Sequence, residues 1–182
     1  MAKLLALFLL FGSFASTVCC QTYVKGNAAY WAFLITNVSV ESKLSNKLTF
    51  NGDVVFSPWK SVSGNHFLFG ELIPEVRFYP CNAFNGFYVG GFGAFQVFDV
   101  TKPQYRRKGY YQKGWSYALG LSLGYELRLN DRWRMDIFAG AGWQNSRYKG
   151  YYKNHERYIG WNGSGEWLPY KGGISLAYRL GK

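Results

Sequence analysis

The sequence is poor in the residues that cross-link a small domain or give it reactive groups. Its 182 residues include three cysteines, Cys19, Cys20 and Cys81, and two histidines, His66 and His155. No paired C-x-x-C and no H-E-x-x-H occurs, so the zinc signatures are missing, and no cofactor signature takes their place. Acidic residues are scarce as well: ten against 21 Lys and Arg, for a formal net charge of +11. After the first residues, no stretch approaches the roughly 20 consecutive apolar positions of a spanning helix, which excludes a helical membrane bundle.

The one long apolar run opens the chain. Lys3 is a short positive start, Leu4 to Phe14 is apolar, and Ala15 to Cys20 are mostly small, before the polar Gln21. This is the pattern of an export signal, too short for an ordinary spanning helix. The expected organisation is a signal peptide at 1–20, cleaved between Cys20 and Gln21, and one domain at 21–182. A retained anchor and lipidation at Cys19 or Cys20 are the alternatives, although Ser16, Thr17 and Val18 lack the leucine usual in a lipoprotein signal. Cleavage leaves only Cys81, so no intramolecular disulfide can form. Backbone hydrogen bonds closed into a ring could hold the domain instead.

Aromatic residues and glycine are abundant: 20% Phe, Trp and Tyr, and 22 glycines. They fall in a rhythm of strand-like runs near 23–31, 34–43, 47–57, 66–79, 86–98, 114–129, 132–146 and 169–180. The sixth run alternates without error. Trp115, Tyr117, Leu119, Leu121, Leu123, Tyr125, Leu127 and Leu129 share one face; Ser116, Ala118, Gly120, Ser122, Gly124, Glu126 and Arg128 share the other. The seventh repeats this, with Trp133, Met135, Ile137, Ala139, Ala141 and Trp143 on its apolar side. Period 2 means a strand with two unlike faces. Connections at 45–47, 80–86 and 130–131 are tight, those at 58–65, 101–113 and 147–168 long, and the first, near 31–34, is short against the rule.

Which face points inwards is decided by three features. The polar face is rich in Gly, Ala and Ser, as a narrow eight-stranded lumen demands. Aromatics sit at both ends of the apolar face; the ten residues from Trp133 to Trp143 rise roughly 25 Å at a tilt near 40°, the height of a lipid-facing band. Lys or Arg on the lipid side would cost about 2–4 kcal/mol each near the midplane. The expected fold is therefore all-β: an eight-stranded antiparallel up-and-down transmembrane β-barrel, in the outer membrane of a Gram-negative bacterium. A soluble periplasmic binding barrel, apolar inside, is the competing arrangement.

Strand parity sends Lys25, Glu41, Asp53, Glu71, Glu75, Arg77, Glu126, Arg128, Arg134, Asp136, Lys171 and Arg179 to the lumen, six acids and six bases. Charges confined there must pair, so a neutral, salt-bridged, closed lumen is expected. Glu71 and Glu75 stand roughly 13 Å apart along a strand, too far to act as a glycosidase pair. The surplus positive charge goes to the long loops. Lys102, Arg106, Arg107, Lys108, Lys149 and Lys153, interleaved with tyrosines, are the expected binding residues for outer-membrane lipid and lipopolysaccharide phosphates. Nucleic acid is not an expected partner of an exported barrel. Gly90-Gly91-Phe92-Gly93 lies inside a strand and opens no helix, so it is no phosphate loop. His66 with Ser57, Ser61 or Ser63 would be the site of a lipid-A-modifying enzyme, but no fixed carboxylate partner is evident. His155 reads as a solvated loop residue. A non-enzymatic structural or surface-interaction role is the leading expectation.

Several short stretches act together as family markers: Lys25 and Asn27; Phe56-Ser57-Pro58-Trp59; Pro74 to Tyr79; Phe84-Asn85-Gly86 with Gly90; Gly114-Trp115 through Gly124-Tyr125; Asn130 to Trp133; and Ile174 to Tyr178. On these the chain resembles a Bacteroidota family known as domain of unknown function 3575. The resemblance implies a small outer-membrane barrel, sometimes associated with fimbria-type surface assembly and so with a surface or fimbrial protein partner. It brings no catalytic residues. Outer-membrane barrels often stop at an aromatic residue, whereas this sequence ends Leu180-Gly181-Lys182, with Tyr178 nearby.

Overall fold

The structure is a computed structural model that describes residues 21–62, 65–102, 110–152 and 154–181; the expected signal peptide lies outside them. Eight strands follow one another: β1 (Thr22–Asn27), β2 (Thr36–Lys43), β3 (Leu48–Val62), β4 (Asn65–Phe78), β5 (Gly86–Val100), β6 (Tyr111–Arg128), β7 (Trp133–Tyr151) and β8 (Arg157–Leu180). Each pairs antiparallel with the next, and β1 closes on β8 from Thr22↔Leu180 to Asn27↔Ser175. The sheet is thus a closed ring, with no lateral edge over that height. The start of β1 and the end of β8 lie at one end, here the terminal end; the opposite end is the far end.

The alternation read from the sequence is the alternation of the ring. Outside, Leu119 is 71% and Leu121 68% exposed, while inside, Lys25 and Arg77 are each 2% exposed. The aromatic ends of the apolar face also meet their neighbours across strands. Trp143 packs edge-on to Trp167 at 6.0 Å towards the far end, and Trp133 to Tyr178 at 5.0 Å near the termini. The small inward residues make room for large ones opposite: a Cβ on Gly124 would run into the Tyr88 ring, and one on Gly120 into Phe92 and the Ala141 carbonyl. Backbone cannot yield as a flexible side-chain end does. Gly120→Ala is therefore expected to lower stability by about 1–3 kcal/mol, as overpacking does, in equilibrium urea unfolding followed by tryptophan fluorescence. An unchanged midpoint would contradict the tight fit.

Three boundaries differ from the sequence reading. The first strand stops at Asn27, whose side chain accepts from Ala29 N at 3.0 Å and caps a short helix, α1 (Ala28–Ala32). This is the N-capping role that asparagine favours. The segments read as long loops at 58–65 and 147–168 are mostly strand. β3 and β4 pair out to Val62↔Asn65, and β7 and β8 out to Tyr151↔Arg157. β8 also carries a bulge, with Gly140 opposite Lys171 but Ala141 opposite Pro169. A bulge re-aims side chains; here it turns both Tyr170 and Lys171 inwards.

Candidate functional site

The interior is filled in layers. At the terminal end, the turn after β4 folds back into the ring. Phe84, in a left-handed conformation (φ 64°), is fully buried 4.8 Å from the Tyr23 ring. Arg134 donates to the Phe84 carbonyl and, at 2.7 Å, to the Tyr23 hydroxyl. Above this lies an ionic layer. Lys25 Nζ reaches Glu41 at 2.6 Å, Asp136 at 3.1 Å and Glu126 at 3.3 Å. Arg77 reaches Glu41, Asp136 and Glu75, each at 2.8 Å, and stacks over Tyr88 at 4.5 Å. Lys171 completes it on Glu75 at 2.9 Å, where Ser122 also donates. Tyr79 donates to Glu126 at 2.8 Å and to Glu41 at 3.1 Å. Oxygens of Glu41, Glu126 and Asp136 lie within 4.8 Å of one another, the spacing of a metal site. The Lys25 ammonium already sits on all three, so the group reads as an ion-paired cluster.

Towards the far end the packing opens. Ile73, Phe92, Ala94 and Ala118 form an apolar floor with Tyr170 against it. Above the floor is a cavity of about 500 Å³ lined by Tyr30 of α1, Phe69, Glu71, Phe98, Gln112, Ser146, Leu168 and others. Lys102 and Glu166 both line it and pair at 3.0 Å.

A second cluster lies on the outer face beyond the far-end tryptophans. His66 Nδ1 is 2.7 Å from Asp99 and its ring stacks on Tyr111 at 4.0 Å. Lys113 donates to the other Asp99 oxygen at 2.9 Å, and this bond raises its pKa. The register sets Lys113 beside Lys149 and Trp115 beside Arg147.

The family model for a protein of unknown function (DUF3575) matches residues 4–180. The chain belongs to this family. No curated protein and no solved structure matches it.

In this DUF3575 chain, most of the residues assigned to the lumen by parity do meet there. Arg128 does not: it lies at the exposed end of β6, paired with Asp131. Parity assigns a face and says nothing of height. Arg134 and Arg179 are half-buried. The fully buried set is thus six acids, Glu41, Asp53, Glu71, Glu75, Glu126 and Asp136, against three bases, Lys25, Arg77 and Lys171. With the half-buried Arg134 and Arg179 counted in, the described interior holds six acids and five bases. Of the expected binding residues, Lys102 stands in the cavity wall, and Lys149 lies over the Trp161 ring at 4.5 Å. Arg106, Arg107, Lys108 and Lys153 fall outside the described residues. His66 does have a fixed carboxylate partner, Asp99, and His155 Nδ1 bonds the Tyr111 hydroxyl at 2.8 Å instead of being merely solvated. Neither pairing could be read from the sequence, because both depend on strand register.

Proposed function

We propose that the protein is a small, non-enzymatic outer-membrane β-barrel of a Gram-negative, Bacteroidota envelope. Its termini are periplasmic, and its outer face meets lipopolysaccharide at the far-end aromatic girdle. The observation that carries this reading is the distribution of polarity along the strands: Leu119, Leu121, Leu123, Val97 and Trp143 are exposed outside, while nine charged side chains are buried inside. Exposed apolar surface on this scale marks an interaction face or lipid, and polar-in, apolar-out alternation between two aromatic bands is the pattern of a lipid-embedded barrel. The ionic layer and the Phe84 turn favour a closed lumen. Lys113, Arg147 and Lys149, adjacent on the outer face at the girdle, suit charge-assisted bonds to lipid phosphates.

Fractionation tests the location. The protein should be recovered in the outer membrane, require detergent, and run faster on a gel unboiled than boiled. Recovery in buffer without detergent, with no mobility shift, would instead favour a soluble periplasmic barrel. For the lipid contact, the triple variant Lys113→Gln, Arg147→Gln, Lys149→Gln is expected to co-purify with several-fold less lipopolysaccharide at unchanged heat-modifiability. Equal lipid content would remove these residues from the role.

A second reading, lipid-A modification at the rim, draws on the His66–Asp99 pair, since a carboxylate-oriented histidine is what a general base needs. Mass spectrometry of lipid A from cells with and without the gene separates the two. An unchanged profile is expected here, and a lost modification would establish the enzyme.

A further inference from the structure

The buried charges are unevenly distributed. The three buried bases all belong to the ionic layer on Glu41, Glu75, Glu126 and Asp136. The two remaining buried acids, Asp53 and Glu71, lie in the lumen beyond it towards the far end. Asp53 is satisfied by Asn37, whose side-chain nitrogen donates at 2.5 Å. Glu71 is 7% exposed, lines the cavity, and makes no ion pair among the described residues. A buried carboxylate without a cation is costly, and the cost is relieved by an opposite charge brought in with it.

A second observation points the same way. Gln112 lines the same cavity at 3% exposure, and its Oε1 has no hydrogen-bond partner. Gln112 Oε1 is a free acceptor, and Glu71, whose neighbour Tyr170 supplies a neutral hydroxyl and no charge, lacks a paired cation among the described residues, so a cationic donor suits both. The wall also carries Gln96, Thr101, Gln144 and Ser146, and most of the remainder is apolar or aromatic, from Phe69, Phe98, Leu168 and Pro169 to the rings of Tyr30 and Tyr170. A cavity of about 500 Å³ that is mostly apolar, with a few convergent polar groups, is the usual form of a small-molecule site. Aromatic rings around a carboxylate also favour an ammonium through their π faces.

We propose that the far-end cavity binds a small primary amine with an apolar body, its ammonium directed to Glu71 and its body against Phe69, Phe98 and Leu168. An anion of the same size would face the Glu71 carboxylate and is excluded. The Lys102–Glu166 pair in the wall neutralises itself and leaves the charge of Glu71 to select the ligand. The site lies inside the ring, so it does not depend on what covers the outer face.

The test uses phenethylamine and phenylacetate, which share a carbon skeleton and differ in the sign of the head group. Isothermal titration of the folded full chain should give saturable, one-to-one binding of phenethylamine and none of phenylacetate. Glu71→Gln should weaken the amine at least tenfold. Ser146→Trp, which fills the cavity from β7 and keeps the Glu71 carboxylate, should abolish binding. Glu71→Asp, which keeps the charge, should bind within a few-fold of wild type. Circular dichroism reports folding for each variant, and Ser146→Trp decides if Glu71→Gln fails to fold. The proposal is overturned if phenylacetate binds as tightly as phenethylamine, if the folded Glu71→Gln or Ser146→Trp variant binds like wild type, or if the folded wild type shows no saturable binding of the amine. None of these results bears on membrane location, which fractionation decides.

Discussion

Arg77→Ala is expected to cost about 3–5 kcal/mol, the usual penalty for removing one partner of a buried ion pair. Arg77 is 2% exposed and, alone among the described residues, joins Glu41, Asp136 and Glu75. Its loss leaves the buried acids opposed by Lys25 and Lys171 alone. It also leaves a cavity beside Tyr88, whose ring carries the guanidinium at 4.5 Å. The effect comes from charges left uncompensated, so a second change that removes one of those charges should restore part of it. Arg77→Ala combined with Glu41→Gln should be more stable than the sum of the two single losses allows. A coupling of about 1 kcal/mol or more is expected for residues in one network, measured by urea unfolding of the detergent-folded protein. A single-variant loss below about 1 kcal/mol would mean that the interior is wet enough to solvate the stranded carboxylates.

Leu121→Arg separates lipid from water on the outer face. Leu121 lies on the outer face of β6 between Leu119 and Leu123, opposite Gly91 and Ala141 on the flanking strands, and is 68% exposed. On a water-facing surface this change would fall within about ±0.5 kcal/mol. At a bilayer midplane it costs about 2–4 kcal/mol, so folding into phospholipid vesicles should show that loss. Ser57→Arg is a poor control because it enters the interior. Leu180→Arg, at the end of β8 on the same outer surface, should cost about 0–1 kcal/mol, since the penalty fades towards the interface. Equal and small losses at both positions would place the outer face in water.

What the sequence made legible follows from the two environments. Between the girdles one face is apolar and the other polar, so side chains alternate sharply and β6 and β7 were readable residue by residue. Beyond the far-end tryptophans both faces become polar, and the hydrophobic period fades although the strands continue. This is why Tyr111 to Lys113, Arg147 to Tyr151 and Arg157 to Leu168 read as loops. A trace of alternation survives in Trp161 and Trp167, which share one parity. Across the bulge at Tyr170 and Lys171 the parity reverses, so counting back from the C-terminal strand would have set these residues on the wrong face. Asn27 carried a capping signal that the strand-like aromatics after it obscured. Interior charge was legible as a set but not as a balance. Arg128 has lumen parity at a height where the ring has ended, and Arg134 belongs to the half-buried terminal layer. The His66–Asp99 pair and the Gln112–Glu71 cavity needed the register of four strands, which no local pattern encodes.

The central claim is that the outer face of this ring lies in lipid. The most direct measurement is quenching of its tryptophans by phospholipids brominated at different depths. Trp133 stands near the terminal end of the apolar face, and Trp115, Trp143 and Trp167 towards the far end, with Leu119, Leu121 and Leu123 between them. In vesicles, bromine close to the head groups should quench strongly and bromine near the acyl-chain ends clearly less. Fluorescence that is indifferent to bromine at every depth would contradict a membrane-embedded barrel.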